Sequence, residues 1–519
     1  MTKLSRRDFL KLAGATSAGL ALSACGVKSA EIPQPTSTAL PSLTPMLMPS
    51  HVPTATITPE PTATVTPKVF IEGVGEVTPK EGLVFTSTIN DYKKAYVLLE
   101  GQVVRLKVDA FSNSDGTRTE IALTDNGIPL LMKGITGEWG GIGYKDLAPS
   151  DFHVASSINT WTGPNLTNKN YIDTFMNNFN MGATEGILDY GFYSKIPAGK
   201  ELAVDEVIQA YDWSQFDEVT KFLAKSKKPY LLANIFAGFI FTHVNAPDWM
   251  RKMSNLDLTS WFKKHLEAIA KHLSQNGIPE PLAISVVNEL LWHAHDRNAI
   301  SQVWFEGDYL YSRLHDNYIK TVFMSAKELW PSAVLLLNDD NATEGVQTNT
   351  PLNAEGQVEF NYIKKMRLAG APIDGFGSQS HLLARNFIEG KGTPEQNFDK
   401  NIQMYKQQLV QLIDSYKGIG VKFYFTELDV NIGGLPTDWS QKQKESLKAQ
   451  LYAAVYETAL NAENCDTVNT QGFTNESSWI LDSKDYPYKP GESPLPLDES
   501  FKPTMSAFEI KKVLFAHRK

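Results

Sequence analysis

From Phe152 to the C-terminus the chain alternates short apolar runs with segments of helical length, and few folds accept that alternation. The runs are Phe152–Ile158, Met181–Leu188, Tyr230–Phe236, Leu282–Asn288, Ala333–Asn338, Gly375–Ser380, Lys422–Thr426 and Thr467–Phe473. Ser260–Ser274, Tyr309–Leu329, Asn397–Tyr416 and Gln441–Ala462 are among the helical stretches between them. A strand, a crossover helix and a further strand make one parallel unit, so the pattern reads as α/β. Eight such strands without a glycine-rich phosphate loop favour a closed (β/α)8 TIM barrel over an open dinucleotide-binding sheet. The 42% hydrophobic and 21% charged content supplies the core such a barrel needs. Residues 151–519 are expected to form it.

Residues 69–150 follow another pattern. Tyr96–Leu99, Val103–Val108, Glu120–Leu123 and Pro129–Met132 are short runs separated by Glu100-Gly101, Asn113-Ser114-Asp115-Gly116 and Asp125-Asn126-Gly127. These read as hairpins, forming a small β-rich extension of the barrel or a module of its own. Before them, Thr, Pro and Ser dominate from Glu31 to Lys68. Prolines withdraw backbone donors and favour extended polyproline conformations, so residues 25–68 read as a semi-rigid linker. The chain opens with Ser5-Arg6-Arg7-Asp8-Phe9-Leu10-Lys11 and an apolar stretch to Ala24. That is a twin-arginine export signal over residues 1–24, its apolar part too short to remain as a membrane span. Leu22-Ser23-Ala24-Cys25 resembles a lipobox, which makes Cys25 the expected lipid attachment point. The expected location is extracytoplasmic, at the membrane or cell surface. An export signal that happens to contain a cysteine is the alternative.

The formal charge is −9, and Lys3, Arg6, Arg7 and Lys11 sit in the signal, so the remainder is more acidic still. Such a chain repels nucleic acid and favours a neutral partner. Only Cys25 and Cys465 are present, too few for a disulfide framework or a cysteine metal site. Cys465 reads as a buried structural thiol.

Chemistry-bearing residues gather where the apolar runs end. Leu282–Val287 runs into Asn288-Glu289, and Lys422–Thr426 into Glu427-Leu428-Asp429. The fifth run ends in Asn338-Asp339-Asp340-Asn341 and the sixth in Gln379-Ser380-His381. Barrels build their sites at the C-terminal ends of strands, so these four ends converge on one mouth. A carboxylate there is costly unless paired, hydrogen-bonded or used. Two carboxyl groups facing across a barrel suit glycoside hydrolysis, one protonated to assist the leaving oxygen and one ionised. Glu289 fits the acid/base, with Asn288 beside it for a sugar 2-hydroxyl. Glu427 fits the nucleophile, and a chain from Asp429 through His381 would orient it. The Asn and Asp residues of 338–341 read as structural hydrogen-bonders. His293 and His295 have the look of metal ligands, but without a third ligand they read as loop residues, and no metal is expected.

These stretches resemble glycoside hydrolase family 10, the retaining endo-β-1,4-xylanases and their relatives. The resemblance rests on Val286-Val287-Asn288-Glu289, Gly375-Phe376-Gly377-Ser378-Gln379-Ser380-His381 and Thr426-Glu427-Leu428-Asp429-Val430. Asn338–Asn341, His243-Val244-Asn245-Ala246-Pro247-Asp248-Trp249 and Ser478-Trp479 add to it, in the family's order over about residues 150–519. It implies a retaining mechanism, no cofactor, a sugar contact from His243 and a cleft floor lined by Trp479. Departures fall on the substrate side. Glu185 is kept, but Gly186 and Asp189 replace the family's glycone-binding Asn and Lys. Thr242 replaces a Trp, Asn245 a Gln, and Gln471-Gly472 stands for Trp-Gly. The resemblance therefore implies a monomeric polysaccharide hydrolase acting on xylan. The replacements leave open the same chemistry on another β-glycan or an aryl β-glycoside. A surface lipoprotein that binds polysaccharide without cutting it is the reading from another class.

Overall fold

The structure is a computed structural model. It describes residues 69–518 apart from 72–74, 78–83, 86–94, 100–101, 113–116, 134–138, 159–165, 185–187, 189–190, 238–240, 242–244, 291–307, 340–353 and 483–492. The chain forms two compact units, Met1–Val104 and Arg105–Lys519. In the first, β1 (Val69–Ile71) pairs antiparallel with β2 (Gly75–Val77), and β3 (Val84–Phe85) with β4 (Ala95–Leu99).

The second unit opens within β5 (Gln102–Ser112), which pairs antiparallel with β6 (Arg118–Leu123). Two further antiparallel steps add β7 (Pro129–Lys133) and β8 (Trp139–Gly141). The C-terminal helix Met505–Arg518 covers this sheet, with Phe515 edge-on to Phe111 and the Arg518 guanidinium 4.3 Å above the Phe111 ring.

The barrel follows: β9 (His153–Ser157), β10 (Met181–Ala183), β11 (Tyr230–Leu232) with β12 (Phe236–Ala237), β13 (Ala283–Asn288) and β14 (Val334–Asp339). It continues with β15 (Gly375–Ser378), β17 (Lys422–Asn431) and β18 (Thr467–Thr470), while β16 (His381–Leu383) lies beside the outer half of β17. Every neighbour is parallel, and the β11–β13 and β18–β9 pairings close the ring. This is the (β/α)8 barrel expected from the alternation, preceded by β-rich structure.

Side-chain period fixes what lies inside. Ala155, Met181, Ala183, Leu231, Ala283, Leu336 and Tyr424 form one small apolar cluster, distinct from the large cluster to which Val154, Ile284, Leu335 and Phe423 belong. The first cluster fills the lumen, where alanines leave room for Met181 and Tyr424, and the second meets the helices. Helices start where their caps dictate. Ser254, Thr393 and Ser440 each accept from the third helical backbone N–H of Asn255–Gln275, Pro394–Gly418 and Gln441–Asn461, and each is answered by a side chain in return.

Two expectations change. The stretch 309–329 is two helices, Tyr309–Leu314 and Asp316–Leu329, parted at His315, whose φ is 50°. Arg313 explains the break: it donates to Met253 O at 3.1 Å and Asn255 Oδ1 at 2.9 Å, tying the short helix to another loop. The third strand is also broken. Leu232 lies opposite Ile284 but Phe236 opposite Val287, so one extra residue bulges near Asn234, whose φ is 56°.

Candidate active site

Above the apolar lumen layer, two residues further along each strand, lies a polar one. Ser157, Ser285, Asn338 and Thr426 stand there, with Ala233 in the same row, and they line a small cavity together with Glu427, Gln471, Asn234, Ala183 and Leu231. Bulges re-aim the strand ends at this height. The β13–β14 register slips by one residue between Ser285 and Val287, after which Asn288 stands opposite Asn338. The β17–β18 register slips between Phe425 and Leu428, where Glu427 sits. Glu289 and Ser380 take left-handed φ of 55° and 64°, a sparsely populated conformation for residues with a Cβ.

A hydrogen-bonded chain joins the two glutamates. Gln379 Nε2 donates to Glu289 Oε1 at 3.1 Å and to Asn288 Oδ1 at 3.2 Å. Asn338 Nδ2 donates to the same Asn288 oxygen at 2.6 Å and to Glu427 Oε1 at 3.0 Å. Thr426 Oγ1 donates to Asn338 Oδ1 at 2.6 Å, so both N–H groups and the oxygen of the Asn338 amide are engaged. Gly377 makes room for this: a Cβ there would collide with Asn338 Oδ1 and Thr426 Cγ2. Backbone bonds hold the strand ends, Glu289 N donating to Asn338 O at 2.9 Å and Glu427 N to Gln379 O at 3.1 Å. Asn288 is fully buried, and its Nδ2 donates to nothing among the described residues.

On the other side of Glu427, parallel pairing sets His381 opposite Asp429. His381 Nδ1 lies 3.1 Å from Asp429 Oδ2, and Nε2 lies 3.6 Å from Glu427 Oε2, an electrostatic contact beyond hydrogen-bond range. Trp479 Nε1 donates to Asp429 Oδ2 at 2.8 Å, and its ring stands edge-on to the imidazole at 5.0 Å. Asp429 is fully buried, and one of its oxygens both accepts from Trp479 and faces the imidazole.

The structure thus brings together Glu289, Glu427, Asn288, Gln379, His381, Asp429 and Trp479. Asn245 sits half-buried in the turn before Asp248–Lys252. Glu185, His243, His293, His295, Asp340, Asn341 and Cys25 lie outside the described residues. Asn338 does more than cap a strand end, since it holds the Glu427 carboxylate. The sequence shows Thr426 within a motif but gives it no role of its own, and Asn234 carries no signal there. Cys465 is buried, and burial pushes its thiol well above the usual range. Among the described residues there is no cluster of three or more potential metal ligands.

Paired carboxylates at strand ends of a (β/α)8 barrel suit glycoside hydrolysis. Residues 145–513 match the family described as Glycosyl hydrolase family 10, and the chain belongs to it. Endo-1,4-beta-xylanase B of Thermotoga neapolitana is 22% identical over 398 residues, covering 75% of this chain and 97% of that protein. Two crystal structures share the fold, each with a TM-score of 0.54 and 20% identity. Xylanase 10B from Thermotoga maritima matches 73% of this chain and 99% of its own. Xylanase 10B from Thermotoga petrophila, in complex with xylobiose, matches 74% and 100%. Residues 3–23 match the twin-arginine translocation signal, so the chain is exported. Among the described residues, no helix is long and apolar enough to cross a membrane.

Proposed function

We propose that the chain is a retaining endo-β-1,4-xylanase in which Glu427 is the nucleophile and Glu289 the acid/base. The observation that carries this is the run from Glu289 through Gln379, Asn288 and Asn338 to Glu427, which holds both carboxyl groups at one mouth. Glu427 attacks C1 as Glu289 gives its proton to the leaving oxygen, forming a glycosyl ester. Glu289 then takes a proton from water, whose oxygen attacks C1 and frees Glu427. Asn288 Nδ2, without a partner among the described residues, suits a hydrogen bond to the 2-hydroxyl of the sugar under attack, and His381 with Asp429 steadies Glu427. Xylan as substrate is supported by the names of the relatives and by the xylobiose bound in one of them.

The wider layout belongs to the same reading: signal 1–24, linker 25–68, β-rich segment 69–150 and catalytic barrel 151–519, anchored by lipid on Cys25 and monomeric. Release of reducing ends from β-1,4-xylan, with Glu427→Ala as control, tests the hydrolase. Release that falls by about 10³-fold or more in the variant, with the first product in the β configuration, supports it. An α-configured first product excludes the retaining mechanism, and binding without release excludes the enzyme on this polymer.

A further inference from the structure

The strand that carries Glu427 bulges at that residue, and a single residue of the next strand lies across from the bulge. Phe425 stands opposite Val468 and Leu428 opposite Thr470, so Thr426 and Glu427 of β17 share Asn469 of β18 between them. Asn469 is buried, level with the lumen residue Ala155 of β9. Its Nδ2 donates to Thr426 O and to Ser157 Oγ, the latter at 2.9 Å. The Ser157 proton goes to Gln471 Oε1 at 3.3 Å, so Ser157 Oγ accepts from Asn469, and the amide is fixed with its N–H groups toward β17 and β9.

Thr426 O belongs to the peptide unit whose N–H is that of Glu427, and that N–H donates to Gln379 O at 3.1 Å. Gln379 follows β15, and β15 and β18 flank β17. One planar peptide is therefore gripped from both neighbouring strands, by its N–H on one side and its carbonyl on the other. The Thr426 hydroxyl is bound as well, to Asn338, which holds the Glu427 carboxylate. Packing alone does not call for an amide here. Asn469 Oδ1 is buried and accepts from nothing among the described residues, a cost that an apolar side chain would avoid.

We infer that Asn469 is a positioning residue for the nucleophile: it clamps the bulged Thr426–Glu427 peptide and so sets the direction in which Glu427 leaves the strand, acting through the backbone rather than on the sugar. The inference rests on the assignment of Glu427 as nucleophile.

The test uses the full chain and 2,4-dinitrophenyl 2-deoxy-2-fluoro-β-xylobioside, which labels the nucleophile of a retaining enzyme with a burst of dinitrophenolate. Burst amplitude counts intact sites and burst rate reads the attack, so lost protein and a misplaced carboxylate are told apart. Asn469→Leu, close in shape but without a donor, is expected to slow the saturated rate about tenfold or more, with the half-saturating concentration within about twofold of the unaltered chain. Asn469→Thr, which keeps one donor, is expected to fall between the two, and it carries the test if the leucine variant does not fold. Rates per site within about threefold of the unaltered chain in every variant that folds, with losses confined to burst amplitude or Tm, make Asn469 a packing residue and overturn the inference. Failure of both variants to fold overturns it too, and a higher half-saturating concentration at constant rate assigns Asn469 to sugar binding instead. An unaltered chain that forms no adduct on Glu427 sinks the retaining reading and this one with it. An adduct on Glu427 whose rate neither variant moves sinks this one alone.

Discussion

Asp429 is the residue on which the geometry around the nucleophile turns. It is fully buried, yet it accepts from Trp479 Nε1 at 2.8 Å and faces His381 Nδ1 at 3.1 Å. Both contacts fall on the same oxygen, so an amide in its place keeps the shape but either turns its N–H toward both groups or, with its oxygen kept there, removes the charge that draws the imidazole. The imidazole then loses its fixed angle beneath Glu427. Asp429→Asn is expected to lower kcat about 10²-fold with little change in KM, because a nucleophile displaced by about 1 Å loses that much. Steady-state kinetics on xylan checks it, and a rise in KM at constant kcat would assign Asp429 to substrate binding. At this scale the sequence was readable where an apolar run ended in a polar group, as at Asn288-Glu289 and Glu427. Asn234 and Ser157 were not readable. Whether a small polar residue faces the lumen depends on register and on the bulges at Asn234, Val286 and Glu427, and those come from strand pairing.

Two helices carry buried ionisable groups with measurable consequences. In Gln441–Asn461, Lys448 is wholly buried, and burial pulls its ammonium below the ordinary range against the opposing pull of Glu445. Its Nζ reaches Glu445 Oε2 at 2.9 Å, Ser493 O at 2.8 Å and Leu495 O at 3.2 Å, pinning the segment that returns to the barrel after Trp479. Lys448→Met leaves those acceptors unpaired and is expected to cost about 3–5 kcal/mol. Thermal unfolding reads the loss, and faster amide exchange at Leu495 and Leu497 locates it. In Asn255–Gln275, His265 is enclosed by aromatic rings, and burial lowers its pKa to about 3. Tyr211 Oη accepts from Trp261 Nε1 at 2.8 Å, so its own proton points to His265 Nδ1 at 2.9 Å, where a second proton would clash. The unfolded chain takes up that proton near pH 6.5 and the folded one does not, so stability falls as pH drops from 6.5 toward 3. The loss by pH 5 is about 2 kcal/mol, and His153, also lowered by burial, adds in the same direction. His265→Gln should flatten the decline of Tm between pH 7 and 5, and an unchanged slope would place the proton uptake elsewhere. Periodicity revealed these long helices and all eight strands. Helices not named from the sequence include Lys169–Asn178, Ser214–Ser226 and Ala354–Leu368, in the last of which the exposed Leu368 and charged residues blur the apolar face, and the break at His315 comes from a distant Arg313 contact.

For the whole molecule, the consequences lie in how the parts reach the outside. The twin-arginine route carries proteins that have already folded, and this barrel needs no disulfide to do so. Cys465, the only other cysteine, is buried with its thiol held protonated, so it offers no competing attachment point. A lipid on Cys25 would be followed by the Thr-, Pro- and Ser-rich residues 26–68. A single acyl chain binds membranes only marginally, whereas lipoprotein processing adds enough chains to anchor firmly. Expressed in a bacterium with both pathways, the unaltered chain should therefore fractionate with membranes and move into the detergent phase. Cys25→Ser should shift it to the soluble extracytoplasmic fraction with its hydrolase activity intact, and lysines in place of Arg6 and Arg7 should hold it inside the cell. An unaltered chain that is already soluble outside the cell would mean that Leu22-Ser23-Ala24-Cys25 belongs to an ordinary cleaved signal, leaving the barrel free to diffuse to its polymer.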